Sequence, residues 1–339
     1  MLYGIAAASA ALLLTALLAA LLRMPGLRAG IVDRRCRRPV PVLGGVAVVA
    51  VTCCVTWAGQ WTGVAPLGEG VGRLLVAGGA VALLGLIADV WPLRPRVLIT
   101  GTAVAAASVV PYDETGFLGG MLAVGWIAFS SLAFRGLDHA DGLAGTVGVI
   151  TAFGCGACAA AEVMDGLAVL LSVFAAALTG FLMHNWHPAR VGLGACGSLF
   201  TGFLLSAGAV FTRAGYSLAP SAGVLFCLGA VGAADVVLVV FSRRVARRPL
   251  HRRGPDHLAH RLRRLGITPQ GAVVLLGAAG FSAVLVGVLV HTGWTGTAGA
   301  LWVGGGALLA VLVLLRVPVH TPRRDAPSQV TGSLRVRNG

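Results

Sequence analysis

Lysine is absent from this 339-residue chain, and Asp and Glu together number only 12 against 26 basic residues, every one of them Arg. Charged residues make up 11% and aromatics 6% of the sequence. That is less than half the roughly 25% charge of a typical soluble domain, and it leaves too little polar surface to face water. What fills the chain instead is apolar, at 57% hydrophobic residues and a mean hydropathy of +0.88, more than one soluble core could bury. The 7 cysteines are odd in number. Cys155 and Cys158 fall inside an apolar run among Gly and Ala, where small residues serve helix packing, so neither a disulfide framework nor a zinc site is implied. The first residues, Met-Leu-Tyr-Gly, carry no basic cluster, and Arg23 and Arg28 come only after the apolar run. This pattern predicts a first transmembrane helix with its N-terminus outside, not a cleaved signal peptide.

Apolar runs near 3–22, 41–59, 73–88, 97–112, 117–134, 142–161, 166–183, 197–212, 219–241, 270–290 and 295–315 approach the ~20 residues that span ~30 Å of hydrocarbon. They predict an all-α polytopic membrane protein of about eleven spans, N-out and C-in. With that parity, segments 23–40, 89–96, 135–141, 184–196, 242–269 and the tail fall on the cytoplasmic side. All Arg except Arg73 and Arg213 then lie there, the asymmetry that the positive-inside rule requires. The membrane domain is expected over 1–317 and a disordered cytoplasmic tail over 318–339. The Arg excess reads as topology signal and contact with anionic membrane lipid; no nucleic-acid partner is expected. Asp33, Asp89, Asp138, Asp141, Asp256 and four His all sit in or beside the inner loops, which makes the cytoplasmic face of a cell (plasma or inner) membrane the expected working face. Asp235 is the one acid well inside a span, and a midplane so poor in ionisable groups argues against a transporter.

The central stretch is Phe134 to Gly145, where Asp138 and Asp141 interrupt an apolar sequence. Spaced three apart, they would share a face of a helix's first turn with Arg135 one turn back. Carboxylates at a membrane edge are costly and mark substrate or ion sites, while an Arg135–Asp138 pair that only caps a helix is the structural alternative.

Taken together, the inner loops resemble the polyprenyl-phosphate N-acetylhexosamine-1-phosphate transferase family. Gly30-Ile31-Val32-Asp33, then Arg37-Arg38-Pro39 and Pro41-Val42-Leu43-Gly44-Gly45, resembles the family's Gly-Leu-Val-Asp, basic stretch and Pro-x-x-Gly-Gly. Gly85-Leu86-Ile87-Ala88-Asp89 stands in the place of Gly-x-x-Asp-Asp, and the Asp138/Asp141 stretch in that of Asn-x-x-Asn-x-x-Asp-Gly-x-Asp-Gly-Leu. Asn185 to Ser198, with Pro188-Ala189-Arg190 and Gly194-Ala195, follows Asn-x-x-Pro-Ala-Lys-x-x-Met-Gly-Asp-x-Gly-Ser without a gap. Asp235 with Arg243-Arg244 matches the Asp and basic pair of a late helix. Asp256-His257-Leu258-Ala259-His260-Arg261-Leu262 is similar to the family's His-rich loop.

The resemblance implies transfer of a sugar-1-phosphate from a UDP-N-acetylhexosamine to polyprenyl phosphate in cell-envelope precursor synthesis. Asp89, Asp138 and Asp141 would be the catalytic acids, and Arg135, Asn185, Arg190, His257 and His260 would bind substrate. It also implies Mg²⁺, which would neutralise the converging phosphates and orient the leaving UMP. The family's metal ligands fall, however, on Arg135 and Ala195, and the first Asp of its acidic pair falls on Ala88. A second reading stays open: a degenerate member that binds lipid phosphate or nucleotide sugar and acts as a regulator or partner. His184 and His187 are expected to be interfacial packing residues, and Gly44-Gly45 and Gly197-Ser198 close-packing or turn positions.

Overall fold

The computed structural model describes residues 2–33, 39–63, 66–91, 93–247, 254 and 256–318. The expected tail from residue 319 onward, and the basic stretch 34–38, lie outside the described residues. The chain runs through α1 (Leu2–Arg28), a two-strand ribbon of β1 (Val32–Asp33) and β2 (Val40–Pro41), α2 (Gly44–Trp61), α3 (Gly68–Val90), α4 (Pro95–Ala107), α5 (Tyr112–Leu137) and α6 (Leu143–Ala161). It continues with α7 (Asp165–Asn185), α8 (Gly194–Phe211), α9 (Leu218–Val245), α10 (Leu258–Arg264), α11 (Pro269–His291) and α12 (Ala298–Leu315). The ribbon is antiparallel, with Val32 opposite Pro41 and Asp33 opposite Val40.

Ten of these helices are long and apolar enough to cross a membrane among the described residues, so the chain is an all-α multi-pass membrane protein. The run near 97–112 differs from expectation. It forms a helix of 13 residues, about 20 Å at 1.5 Å per residue and short of the ~30 Å core. Pro95 starts it at a position where a missing N–H costs nothing, and the approach to Pro111 stops it, because the residue before proline avoids the helical region. Where Thr268 precedes Pro269, its side chain accepts the Gly271 N–H at 3.0 Å and caps α11.

α8 is the axis of the bundle. Every residue from Gly194 to Val210 is buried, against α2, α3, α5, α6 and α9. The approach is close because glycines face backbone: a Cβ on Gly45 would overlap Gly197 N and Leu193 O, and one on Gly202 would lie 2.6 Å from Ser130 O. The close-packing role expected for Gly45 and Gly197 is thus what their surroundings give them. The outermost helices reverse the pattern. Leu13, Leu17 and Leu21 of α1 and Leu301, Trp302, Leu308 and Leu312 of α12 are exposed, as suits a surface solvated by lipid tails.

Gly45→Val is expected to lower stability by at least the ~1–3 kcal/mol of an overpacked core, because neither backbone can retreat. Thermal melts of the detergent-solubilised protein read this, with Gly79→Val, where nothing lies within 4 Å, expected to melt like the parent.

Candidate functional site

Four of the motif loops meet at one end of the bundle, around the start of α8. Asp89 lies in the last turn of α3, where its own helix dipole disfavours a carboxylate. The opposite pole of α8 offsets this: Asp89 Oδ1 accepts the Ala195 N–H at 2.8 Å, and Oδ2 the Cys196 N–H at 3.0 Å. Asp138 Oδ2 accepts the preceding amide, from Gly194, at 3.1 Å. Three successive amides at a helix start, which lack intrahelical partners, are therefore held by two carboxylates from 56 and 106 residues or more away. Gly194 sits at φ +71°, and a Cβ there would come within 2.7 Å of Asp89 Oδ2 and 2.5 Å of Val42 O, so the junction requires glycine. The first loop joins the same junction through Gly44 N–H to Gly192 O at 3.0 Å and Gly192 N–H to Pro41 O at 2.8 Å.

The central stretch is not the first turn of a helix. Asp138 is the C-cap of α5, and α6 starts only at Leu143 after Gly142, at φ +78°. A left-handed glycine breaks the helical stripe, so Asp138 and Asp141 reach different partners. Asp141 Oδ2 accepts from His187 Nδ1 at 2.7 Å and from the Ala189 N–H at 3.2 Å. His187, expected as a packing residue, is thus an acid's partner. Sequence offset hid this because Asp141 and His187 are 46 residues apart. Asn185 is buried and clamps the turn: Oδ1 accepts the Gly142 N–H at 2.9 Å, and Nδ2 donates to Val191 O at 2.8 Å. Arg135 is half-buried in the last turn of α5, a favourable place for a cation, and Arg190 is exposed beyond Asn185.

A histidine layer adjoins this junction. His257, at the start of α10, shares a proton with Asp235 Oδ2 at 2.7 Å, while Asp235 Oδ1 accepts the Leu258 N–H at 2.9 Å. His139, one residue past Asp138, stacks on His257 with ring centroids 4.1 Å apart, and the His260 ring lies 4.9 Å from it. Burial pushes the His139 imidazole down to about 3 and lowers His260 as well. The expected site residues His257 and His260 are therefore joined by His139 and Asp235. His139 sits in plain view between the two acids, where the resembled motif has Gly, but its partner is 118 residues on, so nothing local pointed to it.

The magnesium position implied by the resemblance does not fit these residues. Arg135 is a donor-only guanidinium and Ala195 a methyl, while both oxygens of Asp89 and one of Asp138 accept α8 amides.

Residues 72–213 match the model of glycosyl transferase family 4. The chain is 67% identical over 327 residues, 95% of its length and 80% of the relative's, to a Streptomyces coelicolor protein named "Putative glycosyltransferase SCO3672". It is 29% identical, over 70% of its length and 69% of the relative's, to a decaprenyl-phosphate N-acetylglucosaminephosphotransferase of Mycolicibacterium smegmatis. Over 40% of each chain it is 34% identical to a phospho-N-acetylmuramoyl-pentapeptide-transferase of Rubrobacter xylanophilus.

Proposed function

We propose, because this chain belongs to glycosyl transferase family 4, that the end of the bundle around α8 binds polyprenyl phosphate and a UDP-N-acetylhexosamine, and that it does so without the metal-assisted transfer that the motif resemblance implies. The names of those relatives support a polyprenyl phosphate and a phosphorylated N-acetylated amino sugar, and the motif resemblance implies UDP as the carrier of the sugar. The observation that carries the rest is the junction itself, where Asp89 and Asp138 are directed at the amides of Gly194, Ala195 and Cys196 and a methyl stands in place of a third carboxylate.

Bringing a lipid phosphate to a nucleotide diphosphate gathers several negative charges, and catalysis of such transfer is positioning plus charge neutralisation. In this chain the neutralising groups are guanidinium ions: Arg135 in the last turn of α5, which Asp138 caps, and Arg190 on the loop before α8. A guanidinium binds a phosphate through two parallel N–H donors and so favours the bound ligand. It lacks the Lewis acidity that draws charge from the bridging oxygen as the bond to the leaving UMP breaks. In this reading the motif end faces the cytoplasm of a cell-membrane protein. The chain then acts as a ligand-holding partner of envelope-precursor synthesis.

The test uses purified protein in lipid nanodiscs with UDP-N-acetylglucosamine and undecaprenyl phosphate. Ligand-induced stabilisation is expected to be equal in Mg²⁺ and in EDTA, with radiolabelled transfer at background. Robust transfer abolished by EDTA would instead establish the family reaction here, with Asp89, Asp138 and Asp141 in catalytic roles.

A further inference from the structure

We propose that His139, Asp235 and His257 form a binding site for one divalent transition-metal ion of the zinc, cobalt or nickel class, separate from the family's magnesium position. Three distant segments supply it: the turn between α5 and α6, the inner part of α9, and the residue leading into α10. One ligand atom from each of the three residues lies within 4.8 Å of the others. Zinc–nitrogen and zinc–oxygen bonds of ~2.0–2.2 Å need closer donors, and the His139 ring would turn out of its stack on His257 to bring both lone pairs to one ion.

The protonation pattern is that of a metal ligand. His139 Nδ1 lies 2.8 Å from Gly136 O, which assigns the ring proton to Nδ1 and the lone pair to Nε2. A backbone carbonyl holding the far nitrogen of a ligating His is the usual outer support of such sites. His139 Nε2 is buried and has no hydrogen-bond partner among the described residues. An orphaned buried acceptor of this kind calls for an explanation, and a cation beside it is one. His260 Nδ1 is likewise buried without a hydrogen-bond partner among the described residues, and its ring centroid lies 4.9 Å from that of His139 and 6.3 Å from that of His257.

Charge and ligand type select the ion. Asp235 is 1% exposed, and its buried charge favours a cation held by both of its neighbours. Two imidazoles and a carboxylate suit zinc, cobalt and nickel, whereas magnesium prefers an all-oxygen octahedron. The 2.7 Å contact between His257 Nδ1 and Asp235 Oδ2 is then the metal-free form, in which a proton occupies the place of the ion. Loading would tie the turn carrying Asp138 and Asp141 to α9 and α10. The proposal does not rest on phosphate binding at α8.

The experiment takes full-length protein with any purification tag removed, stripped with EDTA and titrated with Zn²⁺, Co²⁺ or Mg²⁺. The expected result is saturable uptake of about one Zn²⁺ or Co²⁺ per chain, with the visible absorption of low-coordinate cobalt and a raised melting temperature, and none of these with Mg²⁺. His139→Ala and His257→Ala should each weaken uptake at least ~10–100-fold, the loss expected when even a supporting residue of a metal site is removed. His184→Ala should leave it unchanged. X-ray absorption on the zinc-loaded parent needs no variant and should show imidazole scattering. No saturable uptake in the parent, no imidazole in its spectrum, or unaltered affinity in a folded His139→Ala protein would each overturn the site. Each would reduce the layer to a stack that holds helices together.

Discussion

The combined change Ala88→Asp, Arg135→Asn and Ala195→Asp is expected to make this protein respond to Mg²⁺ where the parent does not. Two added carboxylates beside Asp89 and Asp138, with a guanidinium removed, shift the local charge by about three units toward negative in a partly buried junction. Like charges at such spacing repel, so the variant should be less stable than the parent in EDTA. An oxygen-rich cluster is what Mg²⁺ binds, and ligand at 100 times its Kd adds about 2.7 kcal/mol to stability. Melting curves should therefore rise by several degrees with Mg²⁺ in the variant only, and transfer of labelled N-acetylglucosamine phosphate should become detectable and EDTA-sensitive. Arg135→Ala alone should weaken retention of UDP-N-acetylglucosamine or undecaprenyl phosphate in either buffer. Unchanged binding in Arg135→Ala would remove Arg135 from the site.

A second large effect is expected at Asp256. This acid is 2% exposed and accepts from Arg243 Nε at 3.1 Å and Ser242 Oγ at 3.1 Å, while its backbone oxygen accepts from Arg261 Nε at 3.2 Å. Arg261, also 2% exposed, then donates to Leu314 O at 2.8 Å in the last turn of α12 and to Val317 O at 2.9 Å just beyond it. One acid thereby organises the end of α9, the start of α10 and the end of α12. Asp256→Ala strips the carboxylate from the buried Arg243 and should cost about 3–5 kcal/mol, the usual penalty for breaking one side of a buried pair. The double change Asp256→Leu with Arg243→Met should recover most of that loss, since removing both charges removes the desolvation they impose. Denaturation of the solubilised protein measures both. A single mutant that melts within a degree of the parent would show that the pair contributes little.

Much of the architecture was open to reading in the one-dimensional chain. Each long apolar run became a helix, with ends up to about six residues from those expected, because the requirement to satisfy backbone groups inside hydrocarbon acts locally and leaves a spanning segment little choice but to be helical. The short α4 departed from that pattern for a reason also local, the proline at 111. The chemistry-bearing loops could be assigned to one end by the Arg asymmetry, and Asp89, Asp138, Asp141, His257 and His260 do lie in segments that meet there.

What the residues do there was decided by packing. Asp138 and Asp141 looked like one charged face, but a left-handed glycine at 142 turned Asp141 toward His187 and left Asp138 to α8. Asn185, expected to touch substrate, holds the turn and the loop through Gly142 and Val191. His139 acquired its importance only from the way α9 and α10 bring Asp235 and His257 beside it. Hydropathy and helix propensity are properties of neighbouring residues, and they determined the class of protein, the order of its helices and the membership of its motif loops. Hydrogen bonds joining residues 46 to 107 apart depend on crossing angles and on small residues along α8, so only the folded bundle decided which carboxylate holds an amide, which holds an imidazole, and where a metal could sit.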